Sequence, residues 1–371
     1  MSHPHKQTPS GKLRARAFAI PFEGRPGPLN AITDVAGIAV GYTTLISGDG
    51  RLEVGKGPVR TGVTAILPRP VTDIATPCFA GLVSFNGNGE MSGSHIIEEV
   101  GAFNFPITIT NTHSCGMARD ATLKWTHRCL PELLDDAFGL PVAAETSDSF
   151  LNDMNGHHVT DDHVFAALDG AKAGSIEEGC VGGGTGMCTF GFKAGSGTAS
   201  RLVTWEDRTF TLAVFVQSNF GDRGQLTIRG LRAGPALLDV GKPTPAAKSS
   251  IIGIAATDAP LLPHQMKRLA RRMMLGVNLT GGVGHHSSGD IFLAFSTANG
   301  HALKASNGHL AAASFIPDAD INPFFHATVQ AMEEAILNAL VAAEDMTGRD
   351  GHFVPALPKA WLEKTFGFAS G

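Results

Sequence analysis

The sequence predicts a single layered α/β domain, and three observations carry that expectation. From about Pro28 onward, apolar runs of strand length are interleaved with helical periodicities. The strand runs are apolar throughout more than they alternate, as in sheets covered on both faces. No linker is long enough to divide the 371 residues into separate domains, and no internal repeat is apparent.

The strand candidates come in order as "GIAVGYTTLI", "GVTAILP", "CFAGLVSF", "FPITITNT" and "LPVAAET", each bounded by glycine, proline or polar turns. "FTLAVFVQSNFG" reads as a buried strand ending at Asn219 and Gly221. "SIIGIAATDAP" is a strand stopped by Asp258 and Pro260, and "DIFLAFST" is another. "MARDATLKWTHRCLPELLDD" reads as a helix, as does "TDDHVFAALDGA" with Thr160 as N-cap. In "PHQMKRLARRMMLGVN", Met266, Leu269, Ala270, Met273 and Met274 make an apolar stripe at helical spacing. "FFHATVQAMEEAILNALVAAEDM" is a long amphipathic helix with Phe325, Val329, Met332, Ile336 and Leu340 on one face. The Pro/Ala stretch at 241–248 is the most exposed-looking break in the chain.

Composition bounds the function. The chain is 43% hydrophobic and 17% charged with net charge −5, an ordinary globular balance whose acidity argues against nucleic acid as a partner. No run reaches the roughly 20 apolar residues that cross a bilayer. The first residues are polar, with no apolar core of a signal peptide, and the first dozen are expected not to pack. The five cysteines are odd in number and form no C-x-x-C pair, which fits a reducing, cytoplasmic setting. Glycine supplies 45 residues, clustered in motifs, against a usual share of about 7%. That clustering points to tight turns and close backbone approaches.

Several motifs could carry chemistry. No G-x-S-x-G is present, so a nucleophile elbow has no local support. "CVGGGTGMC" lacks both the G-K-[ST] ending of a phosphate loop and the dinucleotide spacing, and reads as a backbone crossing near a pocket. "NGHHVTDDH" groups His157, His158, Asp161, Asp162 and His163 without a metal-ligand spacing; it reads as a solvated turn before a helix. "KRLARR" reads as a solvated helix face or an oligomer contact. "FNGNGEMSG" is a polar glycine loop directly after a strand. Asn219 ends a strand, where an amide could donate to an oxyanion. Ser288 and Asp290, two residues apart ahead of a strand, could share one face. Ser249 and Ser250 stand at the seam where the Pro/Ala stretch meets an apolar strand. Taken singly, each is ordinary turn chemistry.

Together they are more specific. "NAITDVAGIAVGY", "GVTAILP", "FNGNGEMSGSH", "TNTHSCGMA", "GGGTGMCTFGFKAGSGTASR", "VQSNFG", "SIIGIAATDAPLLPHQMKRLARR" and "SGDIFLAFSTAN" occur in that order. This series resembles the DmpA-type L-aminopeptidase/D-esterase and β-peptidyl aminopeptidase family, over nearly the whole chain from about Lys12 to Asp345. The resemblance implies a four-layer αββα sandwich like that of the N-terminal-nucleophile hydrolases, with different connectivity. It implies a precursor that cuts its own backbone between Ser249 and Ser250, giving chains 1–249 and 250–371. Ser250 then becomes the N-terminal nucleophile. Ser288 and Asp290 match the pair that orients it and shuttles its proton, Asn219 the oxyanion amide, and Glu145 the glutamate that receives the substrate's free amino group. Peptide, amide or ester substrates, no cofactor or metal, and a homotetramer of processed units go with the family.

At two positions the chain departs from that pattern. Ser249 stands where the family usually has glycine, and Ser147 where relatives of the DmpA type carry a tyrosine beside the glutamate. Two other readings share the architecture. One is an acyltransferase, or a hydrolase of non-peptide amides, with the same nucleophile. The other is an uncleaved, non-catalytic homologue.

Overall fold

The structure, a computed structural model, describes residues 3–134, 138–241, 249–303 and 308–369. One sheet has four strands in the spatial order β1 (Ala39–Ser47), β2 (Val59–Leu67), β5 (Ile107–Asn111), β6 (Val142–Thr146). The other has six: β4 (Ala102–Phe103), β3 (Cys78–Ser84), β14 (Gly289–Ser296), β13 (Ser250–Thr257), β10 (Arg208–Asn219) and β9 (Ser196–Trp205). Three small antiparallel pairs lie outside these sheets: β7–β8 (Cys188–Thr189 with Phe192–Lys193), β11–β12 (Thr227–Ile228 with Leu231–Arg232) and β15–β16 (Met346–Thr347 with Phe353–Val354). Helices α2 (Cys115–Cys129) and α3 (Asp161–Asp169) pack on the four-stranded sheet. On the six-stranded sheet lie α4 (Pro263–Leu279) and α5 (Asn322–Val341). The short α1 (Ser94–Val100) sits beside β3 and β4, and α6 (Lys359–Phe366) adds Leu362 to the core under α5.

The order of layers is helices, sheet, sheet, helices, and the residue-by-residue alternation of the strands shows why. On β13, Ile252 and Ile254 enter the core between the sheets while Ile251 and Ala255 enter the core under α4 and α5. On β14, Ile291, Leu293 and Phe295 face the inter-sheet core, and Phe292 and Ala294 face the helices. A strand buried on both sides has no polar face, which is why these runs are apolar throughout. The third core, Val63, Ala65, Ala118, Ala121, Trp125 and Val164 among its members, fills the gap between the four-stranded sheet and α2 and α3.

Most expected elements fall where the periodicity put them; among the differences, α1, α6 and the small antiparallel pairs are additions, and α5 ends at Val341, short of Met346. The helix begun at Cys115 ends at Cys129, short of Asp136, because Leu130 precedes Pro131 and takes φ −140°, ψ 69°. In α5 it is Phe324, not Phe325, that enters the core; Phe325 lies under the guanidinium groups of Arg268 and Arg272 from α4. The residues from 3 to 14 pack rather than trail: Gln7 bridges Leu13, and Arg14 is buried on Glu178 at 2.6 Å. Strand β9 is an addition, in a Ser/Gly/Thr-rich stretch. Of the Pro/Ala break, residues 242–248 lie outside the described residues. No helix among the described residues is long and apolar enough to cross a membrane.

Candidate active site

Ser250 is the first residue of β13, and its two neighbouring strands bring it the two groups nearest to it in register. In the antiparallel pairing with β10 it stands opposite Asn219; in the parallel pairing with β14 it stands beside Gly289. Residues directly opposite in an antiparallel pair project on the same face, with Cβ atoms about 4.5–5.5 Å apart. That face looks between the sheets, because Phe215 on β10 and Ile252 on β13 enter the inter-sheet core. Gln217 on the same face spans the gap, donating to Thr110 O (2.9 Å) and Thr146 Oγ1 (2.8 Å). The site therefore lies at one end of the space between the sheets, where β10 stops and β13 starts.

The Ser250 hydroxyl donates to Ser249 O at 2.6 Å, the carbonyl of its own preceding peptide. The Gly289 N–H donates to that same carbonyl (3.1 Å) and to Ser250 Oγ (3.2 Å). Both serines are buried. Ser249 Oγ accepts from Gly221 N at 3.4 Å. Asn219 is held at both ends of its amide: Oδ1 accepts from Cys188 N and Nδ2 donates to Ser147 O, each at 2.9 Å. The tie to Ser147 joins the end of β10 to the residue just past β6, so the two sheets meet here.

Ser288 and Asp290 do share a face, and Ser288 Oγ donates to Asp290 Oδ1 at 2.6 Å. Their bond is to each other; it is Gly289 between them that reaches Ser250. Asn86, from the loop after β3, donates to Asp290 Oδ2 at 3.0 Å and to His285 O at 3.2 Å. Asn88 of the same loop donates to Ser287 O at 2.6 Å. A Cβ on Gly289 would come within 2.5 Å of Asn88 O, so only glycine allows the loop to close this tightly. Burial pushes the Asp290 carboxyl up; bonds from Ser288, Asn86 and the Ile251 N–H oppose the rise without cancelling it.

Glu145 approaches from the other side of that loop. Gly89 lies between it and Gly289, with its Cβ position 3.3 Å from Glu145 Oε1 and 3.0 Å from Gly289 Cα. Glu145 is buried, and burial pushes its carboxyl up against the lowering effect of Thr112 Oγ1 on Oε2 and Glu90 N (2.9 Å) on Oε1. Three residues on, Asp148 is buried and pushed up by that burial to about 7. Its Oδ1 accepts from Asn152 (3.0 Å), while among the described residues its Oδ2 has no partner. Ser147, the position of the second departure, turns its hydroxyl to Ser149 Oγ at 3.0 Å.

The other motifs stay structural. "CVGGGTGMC" crosses beside the site, with Gly182 N and Gly183 N donating to Thr44 Oγ1 (2.9 Å) and Thr64 Oγ1 (3.1 Å). His158 bonds Asp153 (2.9 Å), and His163 Nδ1 accepts from Thr160 N (3.1 Å) at the start of α3. Among the described residues no three His, Cys, Asp or Glu side chains are grouped to hold a metal ion. The basic face of α4 pairs outward, Lys267 with Glu98 (2.6 Å) and Arg268 with Asp318 (2.8 Å).

The layered αββα architecture and the relatives that share it make the chain a serine hydrolase of the N-terminal-nucleophile type. The chain belongs to peptidase family S58, whose model matches residues 30–354, and it is an aminopeptidase. It is 47% identical to the β-peptidyl aminopeptidase BapA of Sphingosinicella microcystinivorans over 94% of this chain and 90% of the relative. The L-aminopeptidase D-Ala-esterase/amidase of Ochrobactrum anthropi, described as a serine aminopeptidase with a variant of the Ntn hydrolase fold, superposes with TM-score 0.90. That pair is 44% identical and covers 96% of this chain and 99% of the other. A β-aminopeptidase of Burkholderia sp. superposes with TM-score 0.86 at 40% identity, over 96% and 100% of the two chains.

Proposed function

We propose that the chain cuts itself between Ser249 and Ser250 and then acts as an aminopeptidase through the freed N-terminal serine. Its substrates are short peptides, amides or esters with an unblocked amino group. The observation that carries this reading is the Ser250 hydroxyl lying against the Ser249 carbonyl, with Gly289 N–H donating to both oxygens. Attack of Oγ on that carbonyl carbon moves the acyl group from nitrogen to oxygen, and the oxyanion forms where the Gly289 donor already points. Water then cleaves the ester, leaving a carboxylate on Ser249 and an α-amine on Ser250. Such an amine has a pKa of about 7.7–8.0, so it can take the hydroxyl proton near neutral pH without a histidine.

In turnover Ser250 Oγ attacks the substrate carbonyl, the Asn219 amide stabilises the oxyanion, and water releases the acyl group. The hydrogen-bonded Ser288–Asp290 pair orients the hydroxyl and the amine. Glu145 receives the substrate ammonium, a charge-assisted pairing that suits an enzyme reading a free amino terminus. The relatives' names, a β-peptidyl aminopeptidase and an L-aminopeptidase D-Ala-esterase/amidase, support a substrate with an unblocked amine. We assign the processed enzyme to the cytoplasm as a homotetramer, in keeping with the resemblance and the unpaired cysteines.

Mass spectrometry of the denatured protein tests the proposal. Two polypeptides that join between residues 249 and 250 are expected from the purified enzyme. Ser250→Ala should give one intact chain that does not hydrolyse an amino-acid p-nitroanilide. An uncut chain with full activity, or full activity in Ser250→Ala, would overturn it.

A further inference from the structure

Lys193 is completely buried, yet among the described residues it forms no ion pair. Taking an ammonium group out of water is costly unless hydrogen bonds meet it. Here Nζ donates to Met187 O (2.8 Å) and Ala194 O (2.9 Å). Those carbonyls lie just before and just after the β7–β8 hairpin, so the ammonium staples its open end. Ala194 N also donates to Met187 O (3.1 Å), and Cys188 pairs with Lys193 across the hairpin. The closed end is fixed as well. Phe190 and Gly191 take positive φ (52° and 68°), Phe190 N donates to Phe220 O (2.7 Å), and Arg223 donates to Gly191 O.

The first residue of this braced hairpin is Cys188, whose N–H holds Asn219 Oδ1. A carboxamide is planar, so fixing Oδ1 fixes the direction of the Nδ2 hydrogens. We propose that Lys193 is a positioning residue for the oxyanion donor: its ammonium holds Met187–Cys188 where the Cys188 N–H keeps the Asn219 amide turned to the reacting carbonyl. This rests on the oxyanion role assigned to Asn219 above. Lys193 touches neither substrate nor nucleophile, and its effect runs through Asn219 alone.

A double-mutant cycle on the processed enzyme tests it, with kcat and KM for an amino-acid p-nitroanilide and a thermal melt for each variant. Asn219→Ala alone should lower kcat by roughly 10²–10³-fold, the usual cost of an oxyanion donor. Lys193→Met should lower kcat roughly ten- to a hundredfold with KM little changed, as for a group displaced by about an ångström. In the Asn219→Ala background it should lower kcat no further. An equal loss with and without Asn219, a change in KM alone, or an undiminished kcat in Lys193→Met beside a crippled Asn219→Ala overturns the inference. Full activity in Asn219→Ala overturns the oxyanion reading itself, before Lys193 enters. Where methionine prevents folding, Lys193→Gln takes its place in the cycle; a chain that folds with neither assigns Lys193 to folding and also overturns the proposal.

Discussion

Asn86 reaches across to Asp290 Oδ2 and His285 O, so one amide ties the buried carboxylate to the loop that carries Ser288. Burial raises Asp290, and the Asn86 bond is one of the contacts that hold it down. Asn86→Ala removes that contact, so the pKa climbs further and the carboxylate is protonated at a higher pH. If Asp290 works ionised, the acid limb of kcat/KM moves to higher pH in the variant, while the two enzymes converge at alkaline pH. A pH–rate profile checks this, and an unmoved acid limb would separate Asp290 ionisation from catalysis. Ser250, Asn219, Ser288 and Asp290 could be picked out as candidates through the resemblance of the motifs that hold them, each alone being ordinary turn chemistry. Asn86, Gly289 and Lys193 could not. An asparagine followed by glycine in a polar loop looks like turn chemistry, a backbone N–H has no side-chain signature, and a lysine in a short hairpin looks solvated. Their partners, except those of Lys193, lie far away in sequence, and only folding brings them together.

Among the elements, the strands buried on both faces were the readable ones, since a run such as Ile251–Ala256 is apolar whichever face is counted. Strand β9 hides because small residues replace apolar ones: a Cβ on Gly197 would lie 2.1 Å from Ala335 O, so α5 rests on the strand backbone. Helix α5 also departs from a simple amphipathic stripe, for Glu334 is buried among Arg16 (2.6 Å), Arg201 (2.7 Å) and Asn30 (2.6 Å). Burial alone would raise this carboxyl; the Arg201 and Arg16 charges, with bonds from Arg16 and Asn30, outweigh it and hold the group at about 2. A folded pKa below the usual 4.5 means that the unfolded chain binds more protons in between. The pair's stabilisation is therefore full above about pH 4.5 and fades as pH falls toward 2. Glu334→Gln keeps the shape but strands two guanidinium groups, which should cost about 3–5 kcal/mol at pH 7. Urea unfolding at pH 7 and pH 3 should show the gap between the two proteins narrowing in acid. A constant gap would mean that the charge of Glu334 is not what stabilises α5.

At the scale of the whole molecule, the proposed cut falls inside a shared sheet rather than between two separable parts. Strands β13 and β14 and helices α4 and α5 belong to 250–371, and every other strand of the two main sheets belongs to 1–249. In spatial order β14 pairs with β3 and β13 with β10, so the smaller piece is inserted between strands of the larger one. Its Ile252, Ile254, Leu293 and Phe295 share the inter-sheet core with Ile66, Ile107, Ile109 and Val142. Its α5 covers β9 and β10, and Glu334 and Asn338 bind Arg16 and Ala15 N of the other piece. Parting the two would expose apolar faces, two rows of unpaired strand groups and a buried ion pair at once. The cut enzyme should therefore elute as one species containing both polypeptides, stay joined on dilution, and lose its partner only in a cooperative unfolding transition. Size exclusion at falling concentration, followed by denaturing electrophoresis of each fraction, measures this. Release of 250–371 under native conditions would contradict it. The same pinning bears on catalysis: with β13 bonded along both edges, the amine freed at Ser250 has to stay beside Asn219 and Gly289, where the next acyl group must be received.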